Sequence, residues 1–121
     1  MNYVIEGKPL SVNAAKRAAR IGSYVRMVHT REAKAWKLAA CWSLKAQRGT
    51  RPTITGPCAL SITSYLPTTA GDVDNYAKAT LDALQEAGII ANDRQVQRMC
   101  ISKEKDAQRP RVEITIETLA A

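Results

Sequence analysis

The alternation of apolar and polar residues is clearest between Cys58 and Leu66. Cys58, Leu60, Ile62, Ser64 and Leu66 fall on one side of an extended chain, and Ala59, Ser61, Thr63 and Tyr65 on the other. Successive side chains of a strand point to opposite faces, so this pattern predicts a strand with one face toward a core. The same period returns at Val112, Ile114 and Ile116, which alternate with Glu113, Thr115 and Glu117 and predict a half-buried last strand. Residues 1–6, 21–28 and 97–102 predict three further strands, the first ended by Gly7-Lys8-Pro9.

Two stretches carry a helical pattern instead. Thr30 offers a capping hydroxyl, with Ala33 in place of the capping-box Glu, and residues 31–48 are rich in good helix formers up to Gly49. Ala35, Leu38, Ala39, Trp42 and Ala46 form one apolar stripe, and Trp36, Ala40 and Leu44 adjoin it, while Arg31, Lys34, Lys37, Lys45 and Arg48 keep the rest basic. Trp36 and Trp42 are read as core or dimer contacts. Residues 74–87 predict a second helix closed by Gly88, with Tyr76, Ala77, Leu81, Leu84 and Ala87 on its apolar face and Asn75, Lys78, Asp82 and Gln85 on the polar flank. Residues 67–71 and 105–110 read as turns. The basic, Ala-rich residues 11–20 read as either a short helix or a mobile loop. The order is β-β-α-β-α-β-β. The expected fold is α+β (mixed α/β), one small domain over residues 1–121 with helices packed on one mixed sheet.

Composition narrows the picture. Apolar residues make up 45% of the 121, but Phe is absent, so the core is built from Ala, branched aliphatics and a few larger aromatics. A small core of this kind gains from association with a second copy, and a homodimer is expected. No apolar run approaches the roughly 20 residues of a membrane helix, and no signal-peptide core is present, so a cytoplasmic protein is expected. Cys41, Cys58 and Cys100 form no zinc pattern and are read as small buried hydrophobes. With no glycine-rich phosphate loop, no nucleotide cofactor is expected.

Charge adds a partner. The net charge is +7. Residues 1–60 hold 11 basic and 2 acidic residues, whereas residues 61–121 hold 7 and 9. A basic half beside a carboxylate-bearing half fits a grip on a polyanion next to a metal or catalytic site, the alternative being a basic surface that only keeps the chain soluble. Lys8, Lys16, Arg17, Arg20, Arg26 and Arg31, with Asn13 in the same region, are the candidate contacts to the phosphates of such a polyanion.

The chemistry lies in Gly71-Asp72-Val73-Asp74-Asn75. Two Asp one residue apart point the same way on an extended backbone and can share a divalent cation, for which magnesium or manganese is the natural oxygen-liganded choice. The alternative is local capping, with Asp74 serving the helix that follows. Asp93 is a third carboxylate, placed where a helix and a return can bring the ends of the segment together. Lys78 lies four residues after Asp74, either as a helix salt bridge or as a cation beside the metal that steadies phosphate charge. Hydrolysis of a phosphodiester needs an activated water and charge stabilisation, which a carboxylate-held divalent ion supplies.

Asp72-Val73-Asp74-Asn75, Lys78, Leu81-Asp82-Ala83-Leu84, Gly88 and Asp93 with Val96 resemble the RusA-like crossover-junction endodeoxyribonucleases, and Pro9, Ser11 and Asn13 resemble that family's N-terminal stretch. The resemblance implies a homodimeric, magnesium-dependent nuclease that resolves four-way (Holliday) DNA junctions in recombination and repair and is often encoded by prophages. It implies Asp72, Asp74 and Asp93 as the metal-binding acids and Lys78 as an active-site lysine. The family often has two adjacent Asp where this chain has Asn92-Asp93. That departure favours the first alternative, a non-catalytic or weakly active branched-DNA-binding protein. A metal-dependent RNase or phosphatase is the second.

Overall fold

The computed structural model describes residues 1–11, 16–21, 24–69 and 71–120, with the backbone alone for residues 16–21 and 24–29. The chain runs through β1 (Asn2–Glu6), β2 (Lys16–Ile21), β3 (Tyr24–His29), α1 (Arg31–Arg48) and β4 (Cys58–Leu66). A 3-10 turn (Val73–Tyr76) leads into α2 (Ala77–Glu86), and a second 3-10 turn (Asp93–Gln95) into β5 (Val96–Lys105) and β6 (Arg111–Thr118).

Four strands form one mixed sheet in the order β1–β6–β4–β5. β6 is antiparallel to both β1 and β4, with Ile114 opposite Tyr3 on one side and Ile62 on the other. β5 runs parallel to β4, with Cys58 opposite Val96, a one-residue register shift after it, and continuous register from Ala59 opposite Arg98 to Leu66 opposite Lys105. A parallel pair cannot be closed by a hairpin, and α2 forms the crossover. The alternating face of β4 is buried as its pattern predicts, from Cys58 through Leu66. Leu60, Ile62, Ile114 and Ile116 form the core with Ala40 and Leu44 of α1 and Ala83 and Leu84 of α2.

The two helices run side by side in the same direction. Near their starts Ala33 packs with Ala79, further along Lys37 Nζ lies 3.9 Å from Asp82, and at their ends Arg48 Nη1 donates to the Ala87 carbonyl at 3.3 Å. Local chemistry sets their limits. The Thr30 hydroxyl accepts from the Ala33 amide at 3.1 Å, and Gly49, at φ 60°, ends α1 in a conformation disfavoured with a Cβ.

The α+β class and mixed sheet match the expectation from the sequence; several details differ. Residues 16–21 form neither helix nor loop but a strand, because pairing with β3 gives their backbone a hydrogen-bonded partner that outweighs the helical preference of Ala. The strand expected over residues 21–28 is divided between two strands, Ile21 closing β2 and Tyr24 opening β3, with residues 22–23 outside the described ones. In α1 the stripe that turns inward is Ala33, Ala40 and Leu44 with half-buried Trp36, while Leu38 and Trp42 stay 63% and 68% exposed. β5 extends to Lys105 because β4 pairs with it along its full length. Cys58 is buried, and burial pushes its thiol pKa up, but Cys41 is half-buried and Cys100 exposed. Among the described residues no helix is long and apolar enough to cross a membrane.

Candidate active site

Beyond the end of β4 the chain passes Gly71, at φ 93°, and reaches Asp72 in an extended conformation. The Asp72 carbonyl accepts from the Asn75 amide at 3.1 Å and so starts the 3-10 turn that carries Asp74. Asp72 holds the N-cap position of this turn, yet its carboxylate makes no capping hydrogen bond. The helix expected to start at Asp74 begins at Ala77, so Asp74 belongs to the turn and not to an α-helical cap. The loop is anchored from the sheet. Lys103 Nζ, reaching from β5, donates to the Thr69 carbonyl at 2.7 Å and also to the Gly71 carbonyl. On the other side a methyl group added at Gly71 would come within 3.2 Å of the Tyr76 hydroxyl.

Asp93 is presented by a separate device. The Asn92 Oδ1 accepts from the Arg94 amide at 2.9 Å, and the Asn92 amide donates to Gln95 Oε1 at 2.7 Å, completing a capping box. The Gln95 amide group donates to the carbonyls of Ile54 and Gly56 at 2.7 and 2.9 Å, tying the turn to the connector before β4. Gln85 Oε1 accepts from the Asp93 amide at 3.0 Å. Asn92 is therefore a cap, with its oxygen engaged by the backbone.

One chain does not bring the three acids together. Asp72 follows Leu66 at one end of β4, whereas Asp93 precedes Val96, the partner of Cys58, at the other. Nine residues of β4 span about 30 Å, and the ten residues of α2 span about 15 Å. The helix and return place the ends of the segment apart, and among the described residues no group of three His, Cys, Asp or Glu side chains is placed to hold a metal. Lys78 pairs with Asp82, one turn further along α2, at 3.2 Å.

The acids of the motif differ from several of their neighbours. Glu6 is paired with Arg109, whose hydrogen bond holds its pKa below the usual carboxylate range. Asp106 accepts from Arg111 at 2.8 Å and is held low for the same reason. Asp72, Asp74 and Asp93 are exposed, and none of them forms an ion pair among the described residues. Two exposed carboxylates on one anchored loop suit magnesium, which keeps several waters and takes one or two protein carboxylates.

The candidate DNA contacts divide. Lys8 lines a cavity of about 260 Å³ with Trp36 and Tyr76, which sets it near the Asp74 turn, and Arg31 opens α1. Lys16, Arg17, Arg20 and Arg26 lie on the β2–β3 hairpin, their side chains outside the described residues, and Asn13 lies outside them altogether. Sequence reasoning missed Lys103, Gln85 and Gln95. Their roles come from long-range packing, and a lysine near the end of a strand carries no local signal of its task.

No match is found among curated proteins. A family model described as endodeoxyribonuclease RusA matches residues 6–117, nearly the whole chain, including both acidic turns and the crossover between them. The chain therefore belongs to the RusA family of crossover-junction endodeoxyribonucleases.

Proposed function

We propose that this protein resolves four-way DNA junctions by paired phosphodiester hydrolysis, using a magnesium ion (manganese can substitute) held by Asp72 and Asp74 and completed by Asp93 from a second copy. The observation that carries the reading is the pair of exposed carboxylates on a loop anchored by Lys103, in a chain of this family. Bound there, the cation supplies charge stabilisation at the phosphoryl oxygens and makes a water more acidic. Lys78, on the first turn of α2, supplies positive charge for the phosphate. Lys8, Asn13, Lys16, Arg17, Arg20, Arg26 and Arg31 grip the backbone, which positions DNA by shape more than by base sequence.

The separation of Asp93 from the other two acids supports a homodimer. A two-fold axis perpendicular to α1 sets the helices of two copies antiparallel, so the Asp72–Asp74 end of one copy faces the Asp93 end of the other. The exposed Leu38 and Trp42 on α1 are an apolar surface suited to such pairing. The Asn92 side chain caps the turn that carries Asp93, a role Asp fills equally well, so the weakly active alternative stands beside this reading.

Asp72→Asn, Asp74→Asn and Asp93→Asn are each expected to lower junction cleavage in magnesium on the order of 100-fold or more, with circular dichroism and junction gel shift retained. Near-normal cleavage by any of them removes that residue from the site. Sedimentation is expected to give twice the 13.2 kDa chain mass. Trp42→Glu is expected to shift the protein toward monomer and to lose cleavage with it, and an active monomer would contradict the pairing. Asn92→Asp is expected to leave stability unchanged, since both residues cap well, whereas Asn92→Ala should cost about 1 kcal/mol in urea unfolding. Equal stability of all three proteins would show that the cap contributes nothing.

A further inference from the structure

We propose that Lys103 is a positioning residue for the acidic pair, holding Asp72 in place for the cation; this rests on the reading of Asp72 and Asp74 as metal ligands. The argument starts from the sheet. Ladder partners share a face, and β5 places Ile101 beside Ile62 and Lys103 beside Ser64. Ile62 and Ser64 are 1% and 2% exposed, so Lys103 stands on the core side of the sheet, at the end where Thr69 and Gly71 lie. A cation there breaks the strand pattern, which in a well-formed fold points to a specific task.

That task is visible in its contacts. An ammonium group drawn partly out of water needs hydrogen-bond acceptors, and Lys103 finds two in the carbonyls of Thr69 and Gly71. Among the described residues it forms no ion pair. Its charge is therefore directed at the backbone of the segment immediately before Asp72. Gly71 at φ 93° has a wide choice of conformations, and tying its carbonyl to the sheet removes most of that choice for the next residue. Metal ligands held by outer hydrogen bonds bind more tightly, and losing such support typically costs 10–100-fold in affinity.

The test is manganese binding to the full-length protein without DNA, followed by electron paramagnetic resonance, in wild type, Lys103→Met, Lys103→Gln, Lys103→Arg and Asp72→Asn, each with a melting curve. Lys103→Met and Lys103→Gln are expected to weaken manganese binding about tenfold at temperatures where they remain folded. Lys103→Arg, which keeps donors and charge, should restore most of the affinity. The Gln variant covers the case in which Met does not fold. Wild-type affinity in a folded Met or Gln variant, with binding lost in Asp72→Asn, overturns the positioning role and leaves the metal site standing. Manganese binding unaffected by Asp72→Asn overturns both.

Discussion

Parallel pairing of β4 with β5 governs where the acidic residues sit. A parallel neighbour must be reached by a crossover, so α2 carries the chain back along the sheet before β5 begins. The loop leaving β4 and the turn entering β5 then lie at opposite ends of the helix. Asp72 and Asp74 occupy the first and Asp93 the second. The parallel course of α1 beside α2 preserves this polarity through the helical layer.

Each acidic end is anchored by side chains that have no chemistry of their own. Lys103 ties Thr69 and Gly71 to the sheet, while Asn92, Gln95 and Gln85 hold the Asp93 turn to the connector and to α2. The acids stay exposed while their backbone is fixed. That division suits metal chemistry, in which free oxygen donors on a preorganised frame avoid a reorganisation cost when a cation and a phosphate arrive.

Much of the fold was legible in the sequence because its strongest signals are local. The alternation in β4 and β6, the Thr30 cap and the Gly49 stop each act within a few residues and survive in the structure. The hairpin strand over residues 16–21 was not legible, since its cause is pairing with β3 and not its own composition. The inward face of α1 was misplaced because Ala and Trp occur on several sides of that helix, and only the neighbouring elements decide between them. At the candidate site the Asp72–Asp74 spacing was read on an extended backbone, whereas Asp72 is extended and Asp74 sits in the 3-10 turn that follows. The distance to Asp93 was not legible, because it depends on whether the next strand pairs parallel or antiparallel, and the capping role of Asn92 comes from its contacts with Arg94 and Gln95.

The central claim is that each site draws acids from two chains, and mixing tests it most directly. Asp72→Asn and Asp93→Asn proteins, unfolded together and refolded so that chains exchange, yield dimers in which one site carries both substitutions and the other carries none. Half of the dimers are then mixed, and nicking of a four-way junction should return to about a quarter of the wild-type number of sites. A mixture that exchanges chains, as shown by mass, yet nicks no better than either parent would contradict the account.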